Sequence, residues 1–161
     1  LLDEIPVDAC RYFFNAKPDT QMDFDLGLAV REDSENPVYY IQYAYARICS
    51  LIKALAEEGR SVPDADKVDL SILSGEQEHA LIKELANFSE EIRVAARDYD
   101  PSYINRYLMR LAGAFHRFYN ACRIKGEADD VANARLLLSA ATRQVLANGL
   151  GILGLSKPEK M

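Results

Sequence analysis

At 161 residues and 49% hydrophobic content, the chain can bury one sizeable core but hardly two independent domains. No apolar run approaches the roughly 18 residues of a membrane-crossing helix, and no charged-then-apolar leader opens the chain, so a cytoplasmic protein without a membrane partner is expected. The net charge of −6 argues against nucleic acid only as an average, because residues 1–100 carry 10 Lys/Arg against 21 Asp/Glu while residues 101–161 carry 9 against 4.

Along the chain almost every segment has helical spacing. The opening Leu1-Leu2-Asp3-Glu4-Ile5 starts mid-pattern without an initiator methionine, which predicts a piece cut from a longer protein. A short helix is expected over 8–17, stopped by Lys17-Pro18-Asp19, then an extended piece from Thr20 to Phe24 and another short helix around 25–33. The first long helix is strongly punctuated: Asn36 caps it, Pro37 takes the first helical position and Gly59 ends it. Its stripe Val38, Ile41, Tyr45, Ile48, Ile52, Leu55 alternates steps of three and four, so one side packs.

Residues 60–75 form a polar connection, and Ser74 with Gln77 resembles a capping box for a helix running to about Ala86 and restarting at Ser89 through Tyr99. Asp100-Pro101 repeats the cap-plus-proline device before the stripe Ile104, Leu108, Leu111, Phe115, Phe118, Cys122, with Gly126 as the stop. A last helix over 129–149 has a less apolar face, and Pro158 stops the chain's helical pattern before what is expected to be a natural terminus at Met161. No alternating strand pattern exists, so the expected fold is all-α: a helical bundle with a small N-terminal lobe, divided as 1–35 and 36–161.

The chemical motifs are mostly negative. Gly149-Leu150-Gly151-Ile152-Leu153-Gly154 spells a dinucleotide fingerprint, but follows a helix rather than a strand, and is expected to fray and turn the last helix. Asp64, Asp66 and Asp69 fail the spacing of a calcium loop at Val68 and Gly75. Two histidines and three scattered cysteines make no zinc pattern, and His116, among arginines, is expected at the surface. Cys10, Cys49 and Cys122 are expected as free thiols in a reducing compartment. No catalytic set or phosphate loop emerges, so neither metal nor cofactor is expected within this stretch.

On a helical wheel of about 100° per residue, Tyr40, Tyr43 and Arg47 cluster away from the buried stripe. Such a face serves either as a second packing surface or as a stacking and phosphate-binding surface for single-stranded nucleic acid. Tyr119, Asn120 and Arg123 supply the same residue types beside the stripe of a second helix, within an acid-free interval holding Arg106, Arg110, Arg117, Arg123 and Lys125. Those cations either form a basic surface or pair with acids elsewhere.

The stretch Asn36-Pro37-Val38-Tyr39-Tyr40-Ile41-Gln42-Tyr43-Ala44-Tyr45-Ala46-Arg47-Ile48 resembles the signature that opens the anticodon-binding domain of bacterial-type arginyl-tRNA synthetases. Val7 to Phe14 and Met22 to Leu26 resemble the family's linking segment; Ala112 to Ile124, Ala134-Arg135-Leu136, Arg143 to Gly149 and Gly154 to Met161 resemble its C-terminal end. The resemblance implies a class I synthetase anticodon bundle that recognises the anticodon loop of tRNA-Arg, within an enzyme joining arginine to its tRNA with ATP and magnesium. It places the anticodon contacts on Tyr40, Tyr43, Arg47 and Tyr119, with Asn120 beside them and Arg123 and Met161 as lesser contacts. The His-Ile-Gly-His and Lys-Met-Ser-Lys types of signature are absent, so this stretch alone should be inactive and should work with a catalytic domain of the same chain, as a monomer that does not bind DNA. The family commonly has histidine where Tyr45 stands, which implies altered packing there. The rival readings are a helical protein-interaction scaffold and the anticodon bundle of a related class I synthetase.

Overall fold

The computed structural model describes residues 4–18 and 23–161. Among these, six α-helices carry the fold and no strand occurs: α1 (Val7–Ala16), α2 (Leu26–Ala29), α3 (Pro37–Glu57), α4 (Glu76–Asp98), α5 (Ser102–Ala121) and α6 (Asp129–Ile152), with two 3-10 turns at Ala65–Lys67 and Leu70–Ile72. The expected all-α bundle is therefore the fold. Positions 20–22 of the expected extended piece and the opening Leu1-Leu2-Asp3 lie outside the described residues.

Most helix limits follow local chemistry. Asn36 Oδ1 accepts the Val38 N–H at 3.1 Å, and Pro37 occupies the first turn, as their types require. At the other end Gly59 adopts φ +83; its N–H reaches Ala56 O at 3.0 Å and the Arg60 N–H reaches Leu55 O at 2.8 Å, a Schellman closure. Asp100 Oδ1 accepts the Ser102 N–H at 2.8 Å, so the cap-plus-proline device opens α5.

Five expectations need correction. α2 spans only Leu26–Ala29, because the following residues spend their polar groups on a turn: Asp33 Oδ1 accepts the Glu35 N–H and Asn36 Nδ2 donates to Arg31 O. α4 starts after Gly75, whose N–H donates to Glu78 Oε2 at 2.7 Å, rather than on a Ser74–Gln77 box. It then runs unbroken to Asp98, since neither proline nor glycine interrupts it and Leu85, Phe88, Ile92 and Ala95 pack on the core. α5 ends at Ala121, and the buried Ile124 anchors the connection in which Gly126 takes φ +82.

The fifth concerns the glycines of α6. They do not fray it: Gly149 is buried against α5, where a Cβ would stand 2.5 Å from Leu108 Cδ2. The turn comes at Gly154, with φ +69 and the Leu155 N–H on Leu150 O at 2.9 Å. Gly154→Ala should cost about 1 kcal/mol through the left-handed backbone and lower the melting temperature by roughly 2–4 °C, measurable by thermal unfolding.

The core gathers Ile41, Ile48 and Leu55 of α3, Leu81 of α4, Tyr107, Leu111, Phe115 and Phe118 of α5 and Leu136, Leu146 and Leu150 of α6. The polar side of α6 is buried as well: Ser139 and Thr142 satisfy their hydroxyls on Arg135 O and Leu138 O, four residues back. Tyr45 is half-buried at the margin of the α3 stripe. Ile5, Ala9, Cys10, Tyr12 and Ala29 join the same core. Asp8 ties α1 to α3 and the C-terminal segment by accepting from Gln42 Nε2 at 2.7 Å and the Ser156 N–H at 3.1 Å. Arg11 Nη1 donates to Gly154 O at 2.7 Å, and Asn105 Nδ2 to Tyr12 O at 3.0 Å.

Candidate nucleic-acid interface

With its apolar stripe turned to the core, α3 leaves Tyr39, Tyr40, Tyr43 and Arg47 on the opposite side. α5 packs beside it with Phe115 and Phe118 inward, which brings His116, Tyr119 and Asn120 to the same edge. Together with Ser34, residues Tyr39, Tyr40, Tyr43, Arg47, His116 and Asn120 line an open cleft of about 240 Å³.

Its centre is a layered set of rings. The His116 imidazole lies 4.7 Å from the Tyr40 ring and 5.9 Å from the Tyr43 ring, and Tyr39 stacks on Tyr43 at 6.1 Å, nearly parallel. The Arg47 guanidinium sits between two aromatic faces, 4.6 Å from Tyr43 and 4.9 Å from Tyr119. Arg47 also donates to the Tyr43 hydroxyl at 2.8 Å and to His116 Nδ1 at 3.3 Å. Stacked arginine keeps donors free at its edge, so the cleft offers flat rings and a planar cation together.

The acid-free interval of the sequence is only partly basic in space. Arg110 pairs with Glu84 at 3.6 Å and with Glu91, while Lys125 pairs with Glu58. Arg106 lies over the Tyr103 ring and donates to Ser102. Arg47, Arg117 and Arg123, by contrast, form no ion pair among the described residues; Arg47 lines the cleft, the exposed Arg117 reaches over Gly113 beside the Tyr40 hydroxyl, and Arg123 is exposed beyond the end of α5. Both expectations thus apply, to different arginines.

Of the residues singled out from sequence, Tyr40, Tyr43, Arg47 and Asn120 converge in this cleft and Tyr119 forms its rim over Arg47. Arg123 is exposed one helical turn further on, in a separate hollow with Leu51, Tyr119 and Ile124. Met161 belongs to another hollow with Asn36 and Gln42, joined to the cleft through Tyr39, which lines both. His116 departs from expectation: it is half-buried, not a surface residue, because the tyrosines of α3 cover it. Its spacing carried a signal, since 116 and 119/120 share one side of α5. Burial and the Arg47 guanidinium hold its pKa below the ordinary value of 6.5.

The DALR anticodon binding domain family matches residues 41–161, three-quarters of the chain and both helices of the cleft. The chain belongs to this family. As a DALR domain it is 49% identical to the arginine–tRNA ligase of Acetivibrio thermocellus over all of its own length and 29% of that protein. A crystal structure from Campylobacter jejuni assigned as an arginyl-tRNA synthetase superposes with a TM-score of 0.88 at 35% identity, covering 99% of this chain and 34% of that one. The Thermus thermophilus arginyl-tRNA synthetase gives 0.82 at 28% identity, covering 96% and 26%. The chain therefore spans 29% of the length of the curated relative. Within this DALR domain the matched span begins beside Tyr40 and includes Tyr43, Arg47, His116, Tyr119 and Asn120.

Proposed function

We propose that this chain is the anticodon-recognising portion of an arginine–tRNA ligase, and that the α3–α5 cleft receives unstacked bases of the anticodon loop of tRNA-Arg. The observation that carries the reading is Arg47, a half-buried cation with two aromatic faces and no carboxylate partner among the described residues. A loop base can stack on Tyr43, Tyr40 or Tyr119 while Arg47 and Asn120 donate to its edge, and Arg117 and Arg123 are available to phosphates. Met161, through its hollow beside Tyr39, would touch the flank of the loop.

In the whole enzyme, other domains would activate arginine with ATP and magnesium and transfer it to the tRNA. Residues 1–35 would link those domains to the bundle at 36–161 and approach the tRNA stem, in a cytoplasmic monomer. No helix of the described residues is long and apolar enough to cross a membrane.

Fluorescence titration with tRNA-Arg and with an unrelated tRNA tests this. Tighter binding of tRNA-Arg is expected, with only a modest salt slope from a few phosphate contacts. Equal affinity for both would reduce the cleft to generic electrostatics, and absence of binding at low salt would overturn the proposal.

A further inference from the structure

Resting on the reading that this cleft takes an unstacked RNA loop, we infer that His116 is a pH-sensitive positioning residue, which holds Arg47 in its RNA-receptive pose only as the neutral imidazole. Arg47 Nη1 lies 3.3 Å from His116 Nδ1. A guanidinium has donors only, so Nδ1 must present its lone pair and the ring proton must sit on Nε2. That Nε2 is enclosed and, among the described residues, has no hydrogen-bond partner of good geometry, so the ring is held chiefly by Arg47, Tyr40 and Tyr43.

A second proton changes the sign of the contact. It removes the acceptor at Nδ1 and sets a cation against the guanidinium. The groups facing His116 supply no counter-charge: α3 presents Tyr40, Tyr43 and Arg47, the segment before α3 presents Ser34, and α5 itself adds Phe115 and Asn120, while the Tyr40 backbone, which favours the proton, is outweighed by burial and Arg47. Among the described residues no carboxylate lines the cleft. Arg47 is then driven from its place between the Tyr43 and Tyr119 rings, and the planar surface offered to a base is lost.

Burial and Arg47 disfavour the imidazolium, so the ring is neutral at neutral pH, and its protonation sets in only as pH falls below the ordinary 6.5. Affinity for the RNA loop is present above that window and declines as pH falls through it. An added cation acting only through long-range attraction to phosphate would do the reverse and strengthen binding in acid.

The test is a titration of tRNA-Arg into the wild-type chain, His116→Asn and His116→Ala, at about pH 7.5 and about pH 5.5. Wild type is expected to lose affinity on acidification, by less than the roughly tenfold that an unshifted imidazole would give. In His116→Asn the side-chain oxygen can take over the Nδ1 acceptor without titrating, so binding should stay within about twofold of wild type at the higher pH and remain flat. His116→Ala should bind weakly and equally at both. Nuclear magnetic resonance of the RNA-free wild type adds an arm independent of variant folding: the Arg47 Nε–H signal should move with the His116 titration. Wild-type affinity that holds or rises in acid, the wild-type acid profile persisting in His116→Asn, or an Arg47 signal indifferent to His116 would overturn the inference while leaving the anticodon reading intact. Absence of tRNA binding by wild type at the higher pH would instead overturn that reading, and the inference with it.

Discussion

Arg135→Ala is expected to destabilise the chain by about 3–5 kcal/mol in urea unfolding, the cost of removing one partner of a buried ion pair. Glu78 is 2% exposed, and its carboxylate has two partners: Arg135 Nε at 2.7 Å and the Gly75 N–H that opens α4 at 2.7 Å. The Arg135 side chain is itself only 19% exposed, and its Nη1 donates to Arg123 O at 2.6 Å. The truncation thus strands a carboxylate inside the protein and frees the connection after α5 at once. Glu78→Gln with Arg135→Met should recover most of the loss, because the charge that cannot be solvated is then gone. A loss below about 1 kcal/mol for Arg135→Ala would mean that water already screens the pair. Since Arg135 also orients the Arg123 backbone, the variant should weaken tRNA binding less than it weakens the fold.

Arg47→Ala should have the opposite profile. We expect its Kd for tRNA-Arg to rise roughly thirtyfold, about 2 kcal/mol, from the loss of one stacked, edge-donating plane. The stability loss should be about 1 kcal/mol: Arg47 lies against Tyr43 and Tyr119, but no buried charge is left unpaired when it goes. Arg47→Lys separates plane from charge. Lysine keeps the cation and loses the fork and the flat face, so recovery to less than about a third of wild-type affinity is expected. Full recovery would show that Arg47 acts as a point charge on phosphate, and the stacking account would fail. Wild-type affinity for Arg47→Ala would remove the cleft from recognition altogether. Tyr40 is half-buried like Arg47, so a modest thermal shift is expected for Tyr40→Ala as well.

Sequence alone determined the long helices α3 and α5, where they start and which of their sides face inward. The three-four spacing of α3 and α5, the Asn36-Pro37 start, the Gly59 stop and the Asp100-Pro101 start are local devices, each satisfied within a few residues, so no partner was needed to read them. The signature from Asn36 to Ile48 likewise pointed to the family that matches residues 41–161. Helical periodicity states which residues of one helix share a face, but not which element that face meets. Only tertiary packing therefore decided that Arg47 lies against His116 and Tyr119, that Glu78 finds Arg135 on α6, and that Gly149 admits Leu108. It also decided which arginines of the acid-free interval are neutralised, since the acids that pair with Arg110 and Lys125 come from α4 and the end of α3. The tyrosine face was visible as a face of α3. It became a cleft because α5 lies beside it with His116 turned in, a contact between residues too far apart in the chain for any local spacing to encode.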